Sequence, residues 1–156
     1  MTIAPTAPTS TSDVRQTLID LTVRMGRYID HQNWDAMPAL FAHTVRLDYS
    51  SLNGGEPAVV PRADMIAKWR TNRTPLKATQ HLVSNHLITI TGPITATGTA
   101  MFQATHLLPN DQGGPLWTLG GEYTYSFTCA GSAWLIDGLA LTLLWADGNR
   151  NIRDLR

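Results

Sequence analysis

Between residues 78 and 145 the chain carries four runs rich in Thr, Ile, Leu, Tyr and Trp, at 78–91, 94–108, 116–129 and 132–145, parted only by "TGP", "PNDQGGP" and "AGS". Long β-patterned runs joined by short turn-forming links predict a series of hairpins, and hence an antiparallel sheet. Everything upstream must pack on that sheet. "DVRQTLIDLTVRMGRYIDHQ" opens with a capping-box pattern at Asp13 and Gln16, and Val14, Leu18, Leu21, Met25 and Tyr28 then recur at helical spacing. A long amphipathic helix is expected there, followed by a short helix in "NWDAMPALFA", a strand in "VRLDYSS", a Gly-rich turn in "NGGEP" and a third helix in "RADMIAKWRTN". Helices first and hairpins afterwards define an α+β fold, with helices packed on one face of a curved antiparallel sheet.

At 156 residues, 43% of them hydrophobic, the chain suits one domain with a sizeable core. That domain is expected over 13–148, between a disordered tail at 1–12, whose "MTIAPTAPTSTS" buries too little to order, and a C-terminal tail at 149–156. Twelve Lys and Arg balance twelve Asp and Glu, which leaves no field to hold a nucleic-acid backbone or an anionic membrane. A lone cysteine, Cys129, excludes an internal disulfide and reads as a small strand residue. The apolar stretches are too short to span a bilayer, and the opening residues lack the basic start and apolar run of a signal peptide. A soluble, cytoplasmic protein is the expectation.

"KATQHLVSNHLITITG" places two histidines on one strand at an odd separation, so strict alternation sends His81 and His86 to opposite faces. An even-length "TGP" loop sets His81 opposite Ala104 and makes His106 its diagonal neighbour at roughly 7–8 Å. That face would also hold Val83, Asn85, Leu87, Gly98, Ala100 and Phe102, a composition of small, apolar and a few polar groups that suits a pocket. His86 would fall on the other face with Leu82, Ser84 and Ile88. An odd-length loop, which Pro93 leaves open, would part His81 from His106. On the first helix the solvent arc takes Gln16, Thr17, Asp20, Arg24, Arg27 and His31, whereas Asp30 shares a line with Ile19, Val23 and Gly26. A carboxylate carried inward needs a partner, and Asp30 either caps the turn at "HQNWD" or enters a site. In "VRLDYSS" alternation turns Tyr49 inward with Val45 and Leu47.

The segments "RYIDHQNWDAM", "VRLDYSS", "ATQHLV", the histidine of "FQATHL" and the closing "AWLIDGLALTLLW" together resemble the scytalone dehydratase-like and SnoaL-like group of the NTF2-like superfamily. The resemblance implies a cone-shaped, strongly bent sheet wrapped by helices around a deep pocket. It also implies functional roles for Asp30, Tyr49, His81 and His106. Two positions depart from the dehydratase pattern: Ile29 stands where it has a second tyrosine, for which Tyr28 lies on the wrong helical face, and Tyr123 stands where it has a pocket asparagine. The dehydrochlorinase of the same superfamily uses an arginine on the penultimate strand that has no counterpart near Cys129. Scytalone dehydration and dehydrochlorination are therefore not implied.

The chemistry expected is free of cofactor. His81 takes a carbon-bound proton beside a carbonyl, Asp30 holds its ring in the right tautomer, Tyr49, with Tyr123, donates to the carbonyl oxygen, and His106 protonates a departing hydroxyl. The enzyme would be a lyase of the dehydratase kind, or a cyclase or isomerase running the same enolate chemistry, on a small hydrophobic or polyketide-like carbonyl compound. Tyr123, Asn85, Phe102, Trp69 and Trp145 are the expected substrate contacts, although Trp69, Phe102, Trp145 and Met101 would serve equally as core. Three further expectations concern what meets the chain. A metal centre of His81, His106 and Asp30 is disfavoured by the resemblance. A non-catalytic ligand carrier or structural subunit is the alternative from another class. The expected assembly is a homodimer or homotrimer.

Overall fold

The computed structural model describes residues 10–154, so the first nine residues of the expected N-terminal tail lie outside the described residues. Helix α1 (Thr11–Asp30) begins earlier than Asp13 because Ser10 acts as its cap, its hydroxyl accepting from the Asp13 backbone N–H at 3.1 Å. Asp13 then sits in the first turn, where negative charge suits the helix N-terminus. The buried stripe of α1 comprises Leu18, Leu21, Thr22, Met25, Gly26 and Ile29.

Strand β1 (Phe41–Asp48) and helix α2 (Ser50–Asn53) follow, then strand β2 (Ala58–Pro61) and helix α3 (Arg62–Arg73). Four long strands complete the sheet: β3 (Ala78–Gly92), β4 (Thr95–Leu107), β5 (Leu116–Ala130) and β6 (Ala133–Gly148). These four coincide with the four β-patterned runs to within a few residues. The short helix expected in "NWDAMPALFA" contracts to a single 3-10 turn at Met37–Leu40, because Phe41 already enters β1 and is fully buried there. The expected C-terminal tail is part of the fold up to Arg153: Arg150–Arg153 form a 3-10 turn anchored by Ile152, which is fully buried.

The six strands form one curved sheet in the order β2-β1-β6-β5-β4-β3. Among the described residues only the β1–β6 pair is parallel; the rest are antiparallel. The core lies between the inner face of this sheet and the helices, with Leu18 and Met25 of α1 in one buried cluster with Tyr125, Phe127, Ile136 and Leu139.

The β3–β4 ladder decides where the histidines point. His81 pairs with Ala104, as an even-length loop requires, but the hairpin reaches that register through two irregularities. At the tip Gly92 pairs with Thr95 around Pro93 and Ile94, and Thr91 is extra. Midway, Asn85 and His86 together oppose Ala100, a bulge in which Asn85 adopts φ 55°. Asparagine tolerates that left-handed conformation. The bulge shifts the alternation by one residue, so the inward set is Thr79, His81 and Val83 on one side of it and His86, Ile88 and Ile90 on the other. His86 thus faces α1, where its Nε2 meets the Thr22 hydroxyl at 2.8 Å, and not the opposite face that unbroken alternation predicts. Leu87, expected on the pocket face, is turned out and 73% exposed.

Helix α1 lies close on β3 because Gly26 has no side chain: a Cβ there would stand 3.3 Å from the Cβ of His81. Arg15 adds a tie, donating to the Ile88 carbonyl at 2.6 Å.

Candidate active site

A cavity of about 410 Å³ opens between the inner sheet face and α3, with contributions from the end of α1, from α2 and from the C-terminal turn. Its floor is built around His81. Asp30 closes α1 with its carboxylate aimed at β3, where Oδ2 accepts from the His81 backbone N–H at 2.7 Å and Oδ1 meets His81 Nδ1 at 2.6 Å. The first bond orients the carboxylate for the second, because the backbone contact holds it in place beside the ring. A carboxylate accepts, so Nδ1 carries the proton and Nε2 is the ring nitrogen left with a lone pair for the cavity. Only 4% of the His81 side chain is exposed, which keeps this pair in a medium where its charge interaction is little screened. Asp30 therefore makes no cap for the turn that follows it, and it stands behind the ring without lining the cavity.

His106 lies on the same wall, its ring centre 5.9 Å from that of His81, with Nδ1 paired to the Thr79 hydroxyl at 2.8 Å. The Trp117 ring packs 5.5 Å from His106 on its other side. Two phenols also line the cavity. Tyr49 follows β1 at the start of α2, and Tyr123 lies in β5 stacked on Phe102 at 4.3 Å between ring centres. Burial raises the pKa of both, further pushed in Tyr49 by the neighbouring Tyr123, while the Arg73 guanidinium pulls each back. Both hydroxyls therefore remain protonated donors.

Of the side chains expected to meet a substrate, Phe102, Trp69 and Tyr123 line this cavity together with Tyr49, His81 and His106. Asn85 and Trp145 do not. Asn85 is the bulge residue, exposed on the outside of β3. Trp145 is 46% exposed, its indole lying over Gly120, where any side chain would collide with it. Met101 faces away from the cavity, since the even-numbered residues of β4 point inward. Among the described residues no three His, Cys, Asp or Glu side chains are arranged to share a metal ion.

The sequence reading overlooked Arg73. It lies at the end of α3, eight residues beyond Met65 and four beyond Trp69, on the stripe that helical spacing turns inward. Its position in "RTNR" looks like an ordinary basic helix terminus, but its continuity with that apolar stripe was the available clue. Lys68, Asn72 and Arg153 also line the cavity.

A bent sheet closed by helices over a polar-floored cavity defines an α+β protein of the NTF2-like type. The chain belongs to the family of SnoaL-like domains, whose model matches residues 10–140. No curated protein matches it by sequence. Among solved structures it is similar to the Kfla4162 protein of Kribbella flavida, at 24% identity and a TM-score of 0.87 over 93% of this chain and 99% of that one. A proposed scytalone dehydratase from Novosphingobium aromaticivorans gives 17% identity and a TM-score of 0.75, covering 88% of each chain. A proposed dehydratase of the NTF2-like family from Streptomyces avermitilis gives 14% identity and a TM-score of 0.71, over 87% of this chain and 99% of that one. At these identities the likeness is one of fold. It leaves the residues of the site to be argued from their own geometry.

Proposed function

We propose that the protein is a cofactor-free lyase of the dehydratase kind, acting on a small hydroxy-carbonyl compound. The observation that carries this reading is the 2.6 Å contact between Asp30 Oδ1 and His81 Nδ1 at the wall of a cavity large enough for such a molecule. His81 Nε2 takes the proton from the carbon beside the carbonyl, and Asp30 stabilises the imidazolium that forms. Tyr49, with Tyr123, donates to the carbonyl oxygen as it gains enolate charge. The carbon–oxygen bond at the neighbouring carbon then breaks. His106 hydrogen-bonds the departing hydroxyl, which takes the proton held by His81, so the two rings end neutral and water leaves. The named relatives of the dehydratase kind share the fold on which this chemistry is arranged.

The test is a mass-spectrometric screen of small hydroxy-ketones and polyketide-like compounds against the protein and its His81→Ala variant, run with and without chelator. Loss of the mass of water, dependent on His81 and indifferent to chelator, is the expected result. A product of unchanged mass would instead assign the same enolate chemistry to an isomerase or cyclase. No turnover of any compound that binds would leave the cavity to a ligand carrier.

A further inference from the structure

The cavity has an unbalanced charge. Among the described residues Lys68, Arg73 and Arg153 line it and no carboxylate does. Of the acids nearby, Asp30 lies behind His81 and has both oxygens engaged there. Arg153 is partly satisfied, donating to the Leu52 carbonyl at 3.1 Å and standing 3.8 Å from Asp154. Arg73 is not. Its Nε is buried without a hydrogen-bond partner, and no carboxylate forms an ion pair with it among the described residues. Burial pulls its pKa down while Tyr49, Tyr123 and Asp30 pull it up, and a guanidinium remains charged at any pH at which the protein works. Arg73 is half-buried, and a cation held in a cavity wall without a carboxylate partner carries a desolvation cost that an arriving anion offsets.

We propose that the substrate is an organic acid anion whose carboxylate seats on the Arg73 guanidinium, while exposed Lys68 and half-buried Arg153 draw it into the cavity. The planar fork of arginine matches a carboxylate in two parallel hydrogen bonds, which fixes the orientation of the ligand as well as its charge. Tyr49 and Tyr123, which both feel the Arg73 charge, lie beside this anchor and meet the carbonyl end of the same molecule. This names the substrate class for the lyase site proposed above and rests on that reading for the chemistry, but not for the binding.

Calorimetric titration with benzoate and with benzamide, near-identical in shape and different in charge, tests it. Benzoate should bind saturably and at least about tenfold more tightly than benzamide, the range a charged hydrogen-bond pair supplies. Arg73→Met should erase that preference, and His81→Ala should keep it. Equal affinity for the two probes, no saturable benzoate binding at millimolar concentration, or a preference that survives Arg73→Met would overturn the assignment. If Arg73→Met does not fold, Arg73→Lys decides, because it keeps the charge and loses the fork: a weakened preference supports the seat and an unchanged one removes it. Loss of water from a neutral substrate by a protein without anion preference would sink this proposal and spare the lyase. Anion preference without any turnover would do the reverse.

Discussion

His81 and His86 occupy the same strand, face the same helix and lie five residues apart, yet one belongs to a site and the other to the scaffold. The difference is in what α1 presents. One end of the helix offers His81 a carboxylate, at 2.6 Å, and the ring's other nitrogen meets a cavity. Further back the helix offers His86 the hydroxyl of buried Thr22, at 2.8 Å, which also donates to its own helix at Ile19. A hydroxyl can satisfy a neutral imidazole but cannot stabilise an imidazolium as a carboxylate does. Burial accordingly lowers the pKa of His86 and nothing opposes it. On the reading proposed above, a histidine becomes a base here through its partner and its access to the cavity, not through its place in the sheet.

The largest effect that would break this contrast lies at the dyad. His81→Ala and Asp30→Asn should each reduce turnover by roughly 10²–10⁴-fold, the contribution of a positioned general base, and the double variant should be hardly worse than His81→Ala. Asparagine keeps the shape of Asp30 but can donate to the ring, which favours the wrong tautomer. Steady-state rates on folded Asp30→Asn protein that match the unmodified enzyme would place His81 in the same category as His86. Tyr49→Phe should cost less, roughly 10-fold to 10²-fold in kcat, since Tyr123 still donates. The melting temperature should be unchanged, because only a cavity-facing hydroxyl is lost.

The smallest effect concerns the scaffold histidine. His86→Ala should leave turnover intact and destabilise by about 1 kcal/mol, one hydrogen bond to Thr22. Because His86 is held below its ordinary value of 6.5, the unfolded chain binds more protons as pH falls past that point. The stability it contributes is full above 6.5 and is lost as pH falls through its depressed folded value. Denaturant melts across that window should therefore slope less in His86→Ala than in the unmodified protein. An identical slope would mean that some other group carries the dependence.

Much of this was legible in the sequence because periodicity reports burial directly. The four long strands, α1 and α3 stood out from their apolar spacing, and the inward turn of Asp30 followed from helical phase alone. The side chains gathered at the cavity from separate elements, Tyr49, His81 and His106, sit where alternation and pairing placed them. What escaped was any feature that interrupts a period. The pairing of His81 with Ala104 was reached by assuming an unbroken ladder. The real ladder has an extra residue at Thr91 and another at Asn85–His86, so the residues between them, His86 and Leu87 included, took the wrong face while those beyond the second slip came back into phase. Arg73 escaped for a different reason: a cation on an apolar stripe is read as a helix end reaching water unless the cavity beside it is known.

Gly26 sets heat resistance against the Asp30–His81 contact at a single position. Helix interiors favour alanine over glycine by about 1 kcal/mol, so a redesign guided by stability would change this residue early. The added methyl would stand 3.3 Å from His81 Cβ and 3.6 Å from Val83 Cγ2, and neither neighbour is the loose end of a long side chain. The helix or the His81 strand would have to give by a few tenths of an ångström, and it is this helix that brings Asp30 to His81. A more rigid helix would then be bought with a longer carboxylate–imidazole bond, so descendants of this protein adapted to hot environments should retain the glycine and find their added stability elsewhere.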